Sequence, residues 1–349
     1  MDGVTMRECN VLIVGSGLSG LSAAVWLTRS GVDGVIVAER MSGGHYERYH
    51  HICGEAVSHR MMGLSGISRQ SVVRDVDTIR ISCGDVTMRI PVKGSIIDRV
   101  ALLDEMRQAS HAEFVKDSIL RVRKAPGGFV VTGSEEEYRC RYLIGADGAF
   151  SIVRKSIFGS KPKVRFAAVN NIVEGTGEDS LGFAVSTRYP GAYRWDFPSK
   201  DGFRSVGYVD GTDSVEVAEE TGKRFIVAGV LDRVVDGDCC LVGDAACLAN
   251  PLCYGGIGAA LLSGRKAAEC IAKGDLSPYQ KWVGKDRMFD PHFLKALETY
   301  RTWDAEDYID SVKPFKGGYS ILRGFYAILR RPKWANVYMA TWMAFRKGW

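Results

Sequence analysis

The chain has 349 residues, of which 46% are hydrophobic and 25% charged, and its net charge is +5. This composition excludes a disordered or fibrous chain, and the length suits two or three subdomains around a large core. The nine scattered cysteines indicate a reducing compartment, and no secretory signal precedes Val11. No run reaches the roughly 18 apolar residues that span a bilayer, and the basic residues form no recognised nucleic-acid-binding motif. We therefore expect a cytoplasmic globular protein that does not bind nucleic acid.

The first informative segment is VLIVGSGLSGLSAA, which predicts a strand, a tight turn and a helix. Val11–Val14 is an apolar run typical of a buried parallel strand, and Leu21–Ser30 has helical character. Between them, Gly15 permits the turn, Gly17 lets backbone approach a pyrophosphate, and Gly20 allows close helix–strand packing. The N-terminus of the helix then offers unpaired N–H groups to a phosphate. The segment predicts a dinucleotide site.

A second strand, Gly34–Ala38, supports the same site because it ends at an acidic residue. Glu39 lies about twenty residues beyond the turn, where a carboxylate can bind ribose hydroxyls. This carboxylate argues against a 2′-phosphate, although Arg40 follows it.

The next stretch, GGHYERYHHICGE, contains three histidines, His45, His50 and His51. Their spacing fits no common zinc pattern, and the chain has no Cys-x-x-Cys. We therefore predict no metal site and interpret the stretch as a flexible polar loop.

Two later segments repeat the theme of an apolar strand that runs into glycine and aspartate. Tyr142–Ile144 leads to Asp147, and Cys240–Val242 leads to Asp244. Each carboxylate stands at the end of a strand, where it can bind ribityl or ribose hydroxyls; the alternative is that each caps the next helix. The second segment continues through Pro251 and the glycines of 255–258 into a helix, whose N-terminus can stabilise a reduced isoalloxazine ring.

With these segments the chain resembles the FAD-dependent group that includes aromatic-ring hydroxylases, flavin halogenases and geranylgeranyl reductases. Arg99 stands at the position of the arginine that this group carries before a helix. CGEAV, beginning at Cys53, and YRWDFPSK, beginning at Tyr193, resemble elements of the geranylgeranyl reductases, whereas hydroxylases usually have a His where this chain has Cys247. The resemblance implies that FAD is bound by Gly15, Gly17, Leu18, Ser19, Gly20, Glu39, Arg40, Cys53, Gly54, Arg99, Asp147, Gly148, Asp244, Pro251, Gly255, Gly256, Ile257 and Gly258.

The second of these elements predicts a substrate-binding wall. In an extended strand alternate side chains share a face, so Tyr193, Trp195 and Phe197 line one side until Pro198 ends the strand. The alternative is an aromatic core face. Beside a flavin, we interpret the strand as an aromatic wall that binds a prenyl chain. The first element holds two candidate proton donors, Cys53 and Glu55.

The C-terminal part is basic and aromatic. Residues 311–349 contain eight Lys or Arg and no Asp or Glu, and they predict two short amphipathic helices broken at Pro332. Such segments suit the headgroup region of a membrane, so we expect peripheral contact with the inner membrane face. The alternative is a helical cap over the substrate tunnel.

The predicted fold is α/β: a Rossmann-like FAD-binding domain, an inserted antiparallel β-sheet substrate domain and a C-terminal helical region. The domains are expected at 1–60, 95–165 and 235–275 for FAD, 60–95 and 165–235 for substrate, and 276–349 for the helices. The resemblance implies an oxidoreductase that reduces carbon–carbon double bonds of geranylgeranyl lipids. Its electron donor, NAD(P)H, ferredoxin or another carrier, binds elsewhere, because the chain has a single dinucleotide fingerprint. The alternatives are a flavin monooxygenase or halogenase, or an electron-transfer or quinone-interacting flavoprotein.

Overall fold

Two eight-stranded sheets organise the chain, whose computed structural model describes residues 6–66 and 68–348. The first sheet has a parallel core in the order β16, β9, β1, β2, β6, with antiparallel strands at its edge. Its strands are β1 (Met6–Val14), β2 (Val35–Glu39), β6 (Glu113–Lys116), β7 (Arg121–Ala125), β8 (Gly128–Thr132), β9 (Glu137–Gly145), β15 (Val235–Asp236) and β16 (Cys239–Leu241).

The centre of the first sheet is the apolar run predicted as a buried strand. Val11 pairs with Val35 of β2 on one side and with Tyr142 of β9 on the other, and the residues of 11–14 are buried. Because β2, β9 and β16 all run parallel to this section, their carboxyl ends lie along one edge of the sheet.

Helices cover the first sheet and continue into the C-terminal region. The glycine-rich turn leads directly into α1, which packs against α5. The helices are α1 (Leu18–Arg29), α2 (Gly43–His51), α3 (His59–Ser65), α4 (Arg99–Gln108), α5 (Ile257–Ala272), α6 (Ser277–Lys285), α7 (His292–Arg301), α8 (Ala305–Val312), α9 (Ile321–Arg330) and α10 (Ala335–Met343).

The second sheet follows the order β14, β10, β13, β12, β11, β4, β5, β3 and is antiparallel except where β11 runs parallel to β4. Its strands are β3 (Ala56–Ser58), β4 (Val72–Cys83), β5 (Val86–Ile97), β10 (Val164–Glu174), β11 (Ser180–Ala184), β12 (Arg194–Pro198), β13 (Phe203–Val209) and β14 (Glu220–Ala228). The two sheets and their helices confirm the predicted fold class. The domain boundaries remain a prediction, and β3 already belongs to the second sheet before the boundary expected at residue 60.

The predicted polar loop after β2 is wrong, because its residues form α2. Tyr46 and His50 lie one turn apart on the buried face of this helix, with ring centroids 4.3 Å apart. The Tyr46 hydroxyl donates to the carbonyl of Ser16 at 2.6 Å. Tertiary packing therefore supplies the stability that the polar sequence lacks by itself.

The C-terminal region is helical, as α6 to α10 show. Within residues 6–66 and 68–348, no helix has the length and apolar character needed to cross a membrane. Trp349, the last residue of the predicted helical domain, lies outside the described residues.

Candidate functional site

A cavity of about 500 Å³ lies at the carboxyl ends of the parallel strands, between the two sheets. The sequence-predicted cofactor residues on its wall are Gly15, Gly17, Leu18, Ser19, Glu39, Arg40, Cys53, Gly54, Arg99, Asp147, Gly148, Asp244, Gly255, Gly256 and Ile257. The fold thus brings residues from four strand ends, three helix N-termini and the CGEAV segment to one place.

Three residues predicted to bind the cofactor do not line this cavity. Gly20 and Gly258 are packing positions: a Cβ on Gly20 would lie 2.0 Å from the carbonyl oxygen of Gly15, and one on Gly258 would lie 2.7 Å from Met61 Cβ. Pro251 lines a separate, smaller cavity. Gly20 therefore acts in the packing of helix on strand, as its place in the motif indicates.

The glycine-rich turn is held by the acidic residue that follows β2. Glu39 Oε2 accepts hydrogen bonds from Ser16 N at 2.8 Å and Ser16 Oγ at 3.1 Å, and Oε1 accepts one from Met41 N at 2.9 Å. The carboxylate still lines the cavity, and Oε1, which accepts a single hydrogen bond, can accept one more. Glu39 consequently stabilises the turn through hydrogen bonds to Ser16, a role that its position in the sequence did not indicate.

Capping, one of the two roles that the sequence left open for Asp147, is present in the structure. Asp147 Oδ2 accepts hydrogen bonds from Ile152 N at 2.6 Å and Val153 N at 3.2 Å, so it caps the turn that follows. Its Oδ1 is buried without a partner in the described residues and belongs to a side chain on the cavity wall. Burial raises the pKa of Asp147 and that of Asp244. Hydroxyl donors from a ligand would stabilise both carboxylates.

Two further cavity residues were missed from the sequence. His50 is buried, and neither of its ring nitrogens has a partner among the described residues. Burial, with the nearby charges of Arg99 and Arg224, lowers the pKa of His50 to about 2, so its ring is neutral. Arg224 lines the cavity from β14, with its guanidinium 4.4 Å from the ring centroid of Tyr49. No local motif marks these positions, because helix and strand packing from distant segments places them here.

The arrangement fits FAD. Arg99 Nε and Asn170 Nδ2 are further buried donors that lack partners among the described residues and line the cavity. The turn before α1 and the glycines before α5 leave N–H groups for a pyrophosphate, and Glu39, Asp147 and the partnerless nitrogens can bind hydroxyls and ring edges. Donors, acceptors and cation charge therefore suit a dinucleotide with a polar ring system.

The opposite wall of the cavity is aromatic. Tyr193, Trp195 and Phe197 all line it, and Phe183 packs edge-on against two of them, with ring centroids 4.8 Å from Tyr193 and 5.2 Å from Phe197. Trp195 Nε1 donates to Asn170 Oδ1 at 3.1 Å, which fixes the indole. Pro198, predicted as part of the substrate wall, is buried and does not line the cavity.

Glu55 is a buried carboxyl beside this wall, and Gly54 contacts Phe197 directly. The backbone of Glu55 has a φ of 55°, a conformation that residues other than glycine rarely adopt. Oε1 accepts a hydrogen bond from Arg99 N at 3.1 Å, but burial is the larger effect and raises the pKa of Glu55 to about 8. Near neutral pH Glu55 is thus largely protonated and can donate a proton. Cys53 also lines the cavity, with its Sγ 3.5 Å from Glu55 N.

Comparison with known proteins also indicates an FAD-binding protein. Residues 8–67 match a family model described as an FAD binding domain. The chain is 25% identical to digeranylgeranylglycerophospholipid reductase 1 of Methanothermobacter thermautotrophicus, over 78% of this chain and 80% of that protein. Together these matches confirm the resemblance inferred from the sequence and identify FAD as the cofactor.

Solved structures share the fold at low identity. A geranylgeranyl bacteriochlorophyll reductase-like protein of Thermoplasma acidophilum has a TM-score of 0.78 and 20% identity, over 97% of this chain and 100% of that one. A flavin-dependent brominase has a TM-score of 0.69 and 15% identity, over 97% of this chain and 94% of that one. These neighbours confirm the Rossmann-like flavoprotein fold.

The buried carboxyl makes a prediction about stability. Burial raises the pKa of Glu55 from 4.5 to about 8, so the folded protein retains a proton that the unfolded chain releases between these values. The wild type therefore loses stability as the pH rises through this window. We expect Glu55→Gln to become more stable relative to wild type by on the order of several kcal/mol between the two pH limits. Urea unfolding of both proteins at a series of fixed pH values across the window measures how their difference in stability changes.

The matched control is Glu47→Gln, which alters an exposed carboxylate of α2. A difference between Glu55→Gln and wild type that stays constant across the window would show that the Glu55 carboxyl is not held neutral by the fold.

Proposed function

We propose that this chain, which resembles the geranylgeranyl reductase family, reduces the carbon–carbon double bonds of isoprenoid chains in membrane lipids or related prenyl compounds. The observation that carries the proposal is one cavity that joins a largely protonated carboxyl, Glu55, to an aromatic wall. The names of the curated relatives support the choice of geranylgeranyl lipids as substrate class.

The chemistry explains why these two features belong together. An isolated trisubstituted alkene is not polarised and accepts hydride poorly, so a proton must reach its less substituted carbon. Positive charge then develops on the tertiary carbon, and aromatic faces attract cations. Bound FAD in its reduced form supplies the hydride. The chain's own residues deliver the proton, exclude water and moderate the charge.

Glu55 is the proton donor that we propose. Its raised pKa leaves it protonated at neutral pH and able to give up that proton to a substrate in the same cavity. Cys53, the other candidate from the sequence, is half-buried, and its carbonyl accepts a hydrogen bond from Ser205 Oγ at 3.2 Å. We assign Cys53 to positioning of the segment that carries Glu55.

The test is anaerobic incubation of the FAD-loaded protein with dithionite and a geranylgeranyl phospholipid. Mass spectrometry should detect the gain of one hydrogen molecule per double bond. We expect Glu55→Gln to lose at least about a hundredfold in turnover and Cys53→Ala much less. The reverse order would assign the proton to Cys53. Fully reduced flavin without any mass gain would overturn the proposal in favour of the monooxygenase, halogenase or electron-transfer alternatives. NADPH-driven oxygen consumption that rises with an aromatic compound would favour the monooxygenase.

The aromatic wall makes a second prediction in the same assay. Trp195→Leu removes an indole that faces the cavity and leaves the predicted FAD-binding residues of the first sheet unchanged. We expect turnover to fall at least about tenfold, because a stabilising cation–π contact is worth about 2 kcal/mol when desolvated. FAD affinity, measured by flavin fluorescence, should change far less. Trp282→Leu, on α6, is the control, and equal losses of turnover and FAD affinity in Trp195→Leu would exclude the role.

We also propose that α9 docks the protein on an anionic bilayer, from which a prenyl lipid can enter. Five large side chains share one face of α9 and project into solvent, with Leu322 81% and Phe325 64% exposed. The others are Ile321, Tyr326 and Leu329. Three arginines occur in or next to this helix, and the chain has no acidic residue after Asp310. Apolar side chains among cations suit anionic headgroups.

The double variant Leu322→Glu/Phe325→Glu tests this surface. Burial of one such side chain is worth about 1.5–3 kcal/mol, so we expect the affinity for phosphatidylglycerol vesicles to fall at least tenfold. Co-flotation measures it, with phosphatidylcholine vesicles for comparison. Leu120→Glu changes an exposed apolar residue of the first-sheet region and is the control. Retained binding by the double variant would exclude α9 as the membrane contact.

A further inference from the structure

A histidine stands between the buried Glu55 and a second carboxylate nearer the surface. His51, the last residue of α2, has Nδ1 4.0 Å from Glu55 Oε1 and Nε2 3.9 Å from Glu220 Oε2. The side chains are 4% exposed at Glu55, 18% at His51 and 33% at Glu220. The three groups therefore form a graded path from the cavity to solvent.

The other groups that face Glu55 cannot easily return a proton to it. Arg99 contributes a backbone N–H, and its guanidinium does not deprotonate in proteins. Asp98 and Lys200 are held in an ion pair of 2.9 Å, in which the ammonium keeps its proton. The Cys53 thiol contacts the backbone nitrogen of Glu55. Imidazole is the neighbouring group suited to passing protons in either direction near neutral pH.

Glu220 connects the histidine to the outside. It lies at the start of β14, a third of its side chain is exposed, and Arg48 Nε lies 4.0 Å from its Oε1. The arginine is largely exposed, so this ion pair stays in contact with water. The carboxylate can therefore exchange protons with water on one side and with the imidazole on the other.

We propose that His51 is a proton-relay residue that restores the proton of Glu55 from Glu220 and solvent after each reduction, an inference that rests on the proposed function. When Glu55 has given its proton to substrate carbon, the imidazole passes its Nδ1 proton to the Glu55 carboxylate. It takes up one proton at Nε2 from the Glu220 carboxyl or from water. One proton enters and one leaves, and tautomer exchange of the ring prepares the next cycle. A bridging water or a small side-chain rotation closes the 4 Å gaps.

A purely structural role for His51 predicts different behaviour. In that case its loss would disturb the first reduction and later ones alike, because the site itself would be misplaced. A relay acts only after the first proton is spent. The number of reductions per enzyme therefore separates the two roles.

The experiment compares His51→Gln with wild type and with His45→Gln, which changes an exposed histidine of the same helix. In rapid-quench measurements on the FAD-loaded protein with dithionite and a geranylgeranyl phospholipid, we expect the variant to reduce the first double bond at the wild-type rate. Later reductions should slow at least about tenfold. Imidazole added to the His51→Ala variant should restore the rate of these later reductions. Glu220→Gln should slow the same phase.

A second readout does not depend on activity. Infrared spectroscopy follows hydrogen–deuterium exchange of the Glu55 carboxyl, whose band is identified by its loss in Glu55→Gln. We expect exchange to slow at least about tenfold in His51→Gln and not in His45→Gln. Exchange at the wild-type rate in both His51→Gln and Glu220→Gln would overturn the relay. If wild type reduces no double bond, the proposed function fails, while the exchange measurement still decides the relay.

Discussion

The close approach of backbone to backbone at three glycines is the constraint on which the cofactor site depends. A Cβ on Gly15 would lie 2.5 Å from the carbonyl oxygen of Ala146, and one on Gly264 would lie 2.2 Å from that of Ser19. With Gly20, these contacts press α1 against both the strand ends and α5. Because real Cβ atoms do not approach so closely, any side chain here would separate the elements. The N-terminus of α1 and the carboxylates at the strand ends then would not meet.

The interior of the site places several arginines next to a carboxyl group and a neutral histidine. Three cations, Arg99, Arg154 and Arg224, act on the half-buried Asp244, while desolvation raises the pKa of its carboxyl. Nearby, His50 is held neutral by burial and by two of these arginines. Such a set is costly without compensation, since buried polar groups need partners. A dinucleotide supplies phosphate charge for the arginines and hydroxyl donors for the carboxylates. The same residues therefore fit FAD, whereas an apolar environment would leave them without partners.

How far the sequence could predict this site depends on how local each signal is. The glycine-rich turn and the two aspartates were readable because strand, turn and helix follow one another within a few residues. The helix α2 was not, because the packing of Tyr46 and His50 against the turn stabilises it and the polar residues alone do not. His51 and Glu220 are far apart in the chain and meet only through the packing of α2 on β14. No spacing rule contains that contact.

The position of Glu55 depends on how the Ile52–Glu55 segment packs against the second sheet. A Cβ on Gly222 would lie 1.9 Å from Ile52 Cδ1, so the bare strand backbone of β14 admits the isoleucine. Likewise Gly207 of β13 makes room for Trp195, whose indole would lie 1.9 Å from an added Cβ, and Phe197 meets Gly54. The segment therefore packs closely against Phe197 and Trp195. The positive φ of Glu55 then places this residue next to α4. The strained backbone and the raised pKa have one origin, because the packing that buries the carboxyl also dictates the turn.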